Sequence, residues 1–172
     1  SSGLDRSSNV DLSSILKDLI NDGLITQSDA AEIVGARRNR NAALLHPLEI
    51  IAAKQLVYGP DHKPLSLELL TEWLAKKSCL QLAHIDPLKI NVPAITSIMS
   101  FAYAQRYGIL CLKVCRDELV IATMQPFDRS WVESLEQTSR RTIQTVVANP
   151  AEIKKYTLEF YSLAKSVFGA GS

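Results

Sequence analysis

Two apolar runs, ILCLKV at residues 109–114 and LVIATM at 119–124, flank the charged stretch Cys115, Arg116, Asp117 and Glu118. Both runs are rich in β-branched and other apolar residues, a charged turn joins them, and Gln125 and Pro126 stop the second. That pattern predicts an antiparallel hairpin. Apolar residues fall on both faces of each run, so neither face suits contact with water. The hairpin must be covered by helices, and a chain containing it is constrained to a layered α/β arrangement there.

The flanks supply the helices. Residues 94–107 read as one helix with Ile95, Ile98, Met99 and Ala102 on one side. Asp128 stands where it would cap a helix carrying Trp131, Val132 and Leu135. A third strand is predicted at 142–147, and Pro150 opens a last helix through Ile153, Tyr156, Phe160 and Leu163.

Upstream the period is different. Leu12, Ile15, Leu16, Leu19 and Ile20 form the stripe of an amphipathic helix, and Gly23 follows it as a terminator. Thr26 and Asp29 read as a capping pair for a second helix carrying Ala30, Ile33 and Val34, which ends in Arg37, Arg38 and Arg40. Those arginines complement the helix dipole, and a solvated basic end is the simpler reading than a phosphate grip. Pro47 opens a third helix through Ile50, Ile51 and Leu56. Residues 58–64, YGPDHKP, read as a loop, and Ser66 caps a fourth helix with Leu69, Leu70, Trp73 and Leu74 inward. The stretch CLQLAHIDPLKINVP, with Pro87 and Pro93, shows no helical period and reads as an extended crossing.

The fold class is therefore α+β: a small all-helical bundle, then a small α/β sandwich in the order α-β-β-α-β-α with about three strands. The expected divisions are a disordered tail or tag remnant at 1–10, a helical subdomain at 11–79, an extended linker at 80–93, an α/β subdomain at 94–164 and a tail at 165–172.

Several function classes are disfavoured. Lys and Arg number 19 against 18 Asp and Glu, a net charge of +1, whereas a nucleic-acid binder carries a clear basic excess. No apolar run is long enough to span a bilayer, and the first ten residues lack the apolar core of a signal peptide. Three cysteines, an odd number, fit a reducing compartment and hence the cytoplasm. On one strand Cys111 and Cys115 would lie ~13 Å apart, beyond disulfide reach. Without a second Cys/His pair their spacing is also a poor zinc signature, so buried apolar cysteine is the reading.

Catalytic patterns are missing. No G-x-x-x-x-G-K-[ST] stretch occurs, and the 7 glycines are scattered, so no loop gathers backbone N–H groups around a phosphate. Neither G-x-S-x-G nor H-E-x-x-H is present. His46, His62 and His84 sit in unrelated contexts and read as structural or solvent-facing, and Asp117 and Glu118 as a solvated turn tip. No residue is a catalytic, cofactor-binding or metal-binding candidate. A binding or regulatory module is favoured over a standalone enzyme.

With its flanks, the hairpin resembles the amino-terminal domain of type II secretion and type IV pilus assembly ATPases. That family shows a helix ending in A-x-x-Y-x-(VI)-(LI)-P-(LIV), matched here by Ala104, Tyr107, Gly108 and Leu110. Its following L-x-(VIL)-A-x-x-(DN)-P-x-D is matched by Leu119, Val120, Ala122, Pro126 and Asp128, after Asp117 in the turn. HIDPLKINVP is similar to the family's D-P-L-x-(IV)-(DN) crossing, and ANPAEIKKYTLEFY to its last helix. The likeness covers roughly residues 78–161, with Cys111 in place of proline and Gln125 in place of Asp or Asn.

In some of these ATPases the helical first half is a cyclic di-GMP module with an R-L-G-x-x-L-(VI)-x-x-G-x-(IL)-(ST) repeat. Leu19, Ile20, Gly23, Ile25 and Thr26 match its tail, whereas its Arg-Leu-Gly head falls on Ser14, Ile15 and Leu16. A second copy around HPLEIIAAKQL diverges further. The resemblance thus implies a retained scaffold without its ligand determinants: an arginine contact and a close-packed glycine backbone are both missing.

What the resemblance implies for function is a non-catalytic adaptor. The chain would dock its own hexameric motor, which carries the P-loop, ATP and Mg, on the inner-membrane platform of a secretion or pilus machine. Its position would be cytoplasmic and peripheral to the inner membrane. The alternative it implies is a cyclic di-GMP sensor. The expected partner-binding stripe is Leu12, Ile15, Leu16, Leu19 and Ile20, for which burial in the bundle core is the competing reading.

Overall fold

The computed structural model describes residues 9–37 and 45–167. The tail at 1–8, the basic residues Arg38 and Arg40, and the tail at 168–172 lie outside the described residues. Four helices form the first half: α1 (Leu12–Asn21), α2 (Gln27–Arg37), α3 (Pro47–Ala52) and α4 (Leu67–Ser78). Their ends follow the local chemistry. Asp11 accepts the Ser14 N–H at 2.8 Å to start α1, and Gly23, at φ +78°, follows its end. Thr26 and Asp29 exchange two hydrogen bonds of 3.0 Å, a capping box in which aspartate does the work of glutamate. Ser66 accepts the Leu69 N–H at 3.1 Å to start α4. The 58–64 loop holds a minimal ribbon, β1 (Val57–Tyr58) antiparallel to β2 (Lys63–Pro64).

The second half contains a sheet of four strands, not three. β4 (Ile109–Val114) and β5 (Glu118–Thr123) form the antiparallel hairpin, with a bulge between Cys111 and Lys113. β6 (Thr142–Val147) lies parallel to β5, reached through α7 (Val132–Ser139). The fourth strand, β3 (Gln81–Leu82), comes from the stretch expected to be an extended linker. It pairs parallel with β6, Gln81 opposite Val146 and Leu82 opposite Val147, giving the order β3-β6-β5-β4. Two paired residues carry no period of their own; the free edge of β6 recruits them.

Three other expectations are corrected. The helix read over 94–107 is two, α5 (Val92–Thr96) and α6 (Phe101–Tyr107). Two serines divide it: Ser97 Oγ donates to the Ala94 carbonyl at 2.7 Å, and Ser100 caps α6 through the Tyr103 N–H at 3.1 Å. Asp128 does not cap α7; its carboxylate folds onto the Ser130 N–H and Oγ, and α7 begins after Trp131. The last helix, α8 (Pro150–Val167), runs past residue 164 into the expected tail.

Two groups of buried apolar side chains result. One gathers Leu12, Ile15, Leu19, Ile33, Leu48, Ile51, Leu70 and Leu74 of the helices. The other packs Ile109, Leu110, Leu119, Ile121 and Val146 of the sheet against Ile95, Trp131, Ile153 and Phe160. Val10, expected in the disordered tail, is buried in the first group.

Candidate functional site

The amphipathic stripe of α1 faces inward. Leu12, Ile15, Leu16 and Leu19 are all buried, and Ile20 is half-buried. A partner touches four of these five only if α1 leaves its bundle. The helix is fastened at its far end, where Trp73 Nε1–H donates to Asp22 Oδ2 at 2.8 Å and the Lys77 ammonium sits 2.9 Å from the same carboxylate. Lys77, and then Trp73, hold the Asp22 carboxyl below its usual range. Between α1 and α2 lies a shallow groove of about 570 Å³, with Lys17, Ile20, Ala30, Ala31, Val34 and Gly35 in its lining.

Ser14 and Leu16, on the same helix, are both used by the fold itself. Ser14 Oγ donates to Asp11 Oδ2 at 3.1 Å, so its hydroxyl serves the helix cap. Leu16 is buried, its side chain packed in the helical core.

Besides the packing of α4 on β3 and β6, the two halves meet at residues 124–127, at the end of β5. His46 caps α3 with Nδ1 accepting the Leu48 N–H at 3.1 Å, while Glu49 Oε1 accepts the His46 N–H at 3.0 Å. Its other ring nitrogen lies 2.7 Å from the Met124 carbonyl oxygen. A carbonyl only accepts and an amide N–H only donates, so the ring is the neutral Nε2–H tautomer. His46 is 5% exposed. Burial takes its pKa down to about 4, assisted by Lys154; the Met124 carbonyl and Glu49 pull the other way.

Three further contacts join the same place. Gln125 Oε1 accepts the Val10 N–H at 2.8 Å, which gives the longer side chain at this departure from the family pattern a role. Glu49 pairs with Lys154 of α8. Phe127 leaves the sheet half and is buried among the helical side chains. A cleft of about 430 Å³ opens beside this joint, with Ala104, Gly108 and Ile153 in its lining and Phe101, Tyr107 and Lys154 around it.

Sequence reasoning missed this joint. His46 read as structural or solvent-facing, which its burial and bonding specify as structural; His62 and His84 are exposed. Asp117 and Glu118 are exposed at the turn. Cys79 is exposed and Cys115 half-buried, while burial pushes the Cys111 thiol up to about 12, far from thiolate reactivity. Among the described residues no group of His, Cys, Asp or Glu is placed to hold a metal ion, and no helix is long and apolar enough to cross a membrane.

The MshEN domain family model matches residues 78–167. Over 160 residues the chain is 36% identical to the type IV pilus assembly ATPase TfpB of Acinetobacter baylyi, a match covering 92% of this chain and 27% of that protein. The chain thus spans about a quarter of that relative's length. Among solved structures it resembles MshE with cdg (cyclic di-GMP), at a TM-score of 0.57 and 16% identity, covering 88% of this chain and 99% of that one. It also resembles the N-terminal domain of XpsE, at a TM-score of 0.54 and 14% identity, covering 90% and 99%. Those two likenesses establish the fold, and the mixed helical and sheet architecture agrees with it. From the family match and the pilus relative together, the chain belongs to the MshEN domain family, the amino-terminal domain of type II secretion and type IV pilus assembly ATPases.

Proposed function

We propose that this chain is a non-catalytic adaptor and regulatory region, docking its own hexameric motor on the inner-membrane platform of a pilus or secretion machine from the cytoplasmic side. The observation that carries this reading is the 36% identity to a pilus assembly ATPase, which runs through 92% of the chain and so includes both halves. A docking role needs surface that the fold does not use. In the helical half that surface is the outer side of α1 and α2, including exposed Lys17 and Val34, because the inner stripe is committed to the core. Calorimetry with the cytoplasmic domain of the platform protein tests this. Lys17→Glu with Val34→Asp is expected to weaken binding at least tenfold without changing the melting temperature. If binding instead survives that pair and is lost on substituting the exposed Lys113 and Gln144 of the sheet, docking belongs to the second half.

The absent phosphate cradle supports a second expectation: the chain alone turns over no ATP. Stoichiometric binding of Mg-ATP would contradict it.

A cyclic di-GMP sensor is the second reading, favoured by the fold shared with MshE, which was solved with that ligand. Ser14 and Leu16 weigh against it. A charge-assisted arginine contact contributes about 1.5–3 kcal/mol, so its loss alone weakens binding roughly tenfold to a hundredfold. Titration calorimetry is expected to give weak or no binding; a sub-micromolar Kd would promote the sensor reading.

A further inference from the structure

We propose that residues 124–127 form a clasp between the two halves of the chain, and that protonation of His46 opens it. The passage from α4 through Cys79 into β3 is covalent, and Cys79 sits there in the left-handed region at φ +58°. The clasp is a further non-covalent attachment, apart from the packing of α4 against β6. Its bonds span 78 residues from His46 to Met124, 115 from Val10 to Gln125, and 105 from Glu49 to Lys154. Phe127, buried among the helical side chains, completes it.

The chemistry of the closed clasp admits one charge state. His46 Nε2–H is used by the Met124 carbonyl, and Nδ1 by the Leu48 N–H. A second proton on Nδ1 would set two donors head-on in a site with almost no access to water. Among the described residues two charged groups face the ring, Glu49 of its own helix and Lys154 of α8. Glu49 favours the imidazolium, but its carboxylate is already shared between the His46 N–H and the Lys154 ammonium. The charged ring must therefore leave.

The sign follows from proton binding. Closed, the ring takes up a proton only near pH 4; open, it does so at its ordinary value near 6.5. The open form binds more protons, so acid favours opening. The contribution of the neutral ring to closure is fully present above about pH 6.5, and each pH unit below that reduces the closed-to-open ratio by up to tenfold until about pH 4. This device is independent of the docking reading.

Hydrogen exchange on the full chain, followed by mass spectrometry and corrected for intrinsic rates, tests it. Protection of peptides covering 46–52 and 124–128 is expected to fall together from pH 6.5 to 4, while those of β5 and β6 stay protected. His46→Asn keeps a cap acceptor for the Leu48 N–H but does not reach Met124. It is expected to show the opened pattern already at pH 7.5, without further change on acidification. Lys154→Gln removes the cation that disfavours the imidazolium and releases Glu49 to favour it, so protection at 46–52 and 124–128 is expected to fall less steeply with acid than in the unmodified chain. The proposal is overturned if protection at 124–128 is constant to pH 4, or falls only together with the sheet. It is equally overturned if His46→Asn, or Lys154→Gln where His46→Asn does not fold, matches the unmodified pH profile.

Discussion

Phe127→Ala is expected to destabilise the chain by about 3–5 kcal/mol, the range for deleting a buried aromatic ring with partial collapse of the cavity. Phe127 is 6% exposed, and its ring packs with the helical side chains although its backbone follows β5. The loss should therefore be felt first by the half to which Phe127 does not belong in sequence. The molecule carries its own reporters, because its 2 tryptophans divide between the halves. Trp73 packs among the helices and Trp131 against the sheet. In single-tryptophan versions, made with Trp131→Phe or Trp73→Phe, urea unfolding is to be followed by fluorescence. Phe127→Ala is expected to lower the midpoint reported by Trp73 by more than that reported by Trp131. Equal shifts would mean that the two groups of buried side chains unfold as one. A larger shift at Trp131 would show that Phe127 serves the sheet.

The same residue shows what the sequence could and could not reveal. Helix starts were legible because their signals are local: Thr26 with Asp29, Ser66 ahead of α4, and Pro47 in the first turn of α3. The hairpin was legible because its apolar runs and charged turn are contiguous. β3 was not, since a two-residue strand owes its existence to the free edge of β6, formed more than 60 residues later. The serine break between α5 and α6 was present in the sequence, but the apolar spacing of Ile95, Ile98 and Met99 masked it.

The joint was the least legible of all. His46, Gln125 and Phe127 are unremarkable one by one, and only the fold brings their partners to them. One signal existed: Gln125 departs from the acidic or amide residue of the family pattern, and its side chain is the acceptor for Val10. A departure at a turn was a reason to ask what the longer side chain reaches.

Leu19→Asp is expected to have the larger effect, removing most or all of the stability of the helical half. Leu19 is fully buried, with 0% exposure, on the inward stripe of α1. The substitution combines a large-to-small change, about 2–5 kcal/mol, with a carboxylate placed among apolar side chains. Together these approach the whole stability of an ordinary domain, about 5–15 kcal/mol. Circular dichroism should show helical signal lost and Trp73 fluorescence shifted to that of exposed indole, with the Trp131 signal retained. The result decides between two uses of the stripe. If the stripe is core, Leu19→Asp abolishes platform binding only by unfolding, and Lys17→Glu with Val34→Asp weakens it in a folded protein. If α1 instead leaves the bundle to meet the platform, loosening its attachment should strengthen docking. Asp22→Ala, which releases Trp73 and Lys77 from the end of α1, would then raise affinity. The expected result is unchanged affinity for Asp22→Ala, because a helix that buries four of its five stripe residues costs more to detach than one shallow groove of contacts returns.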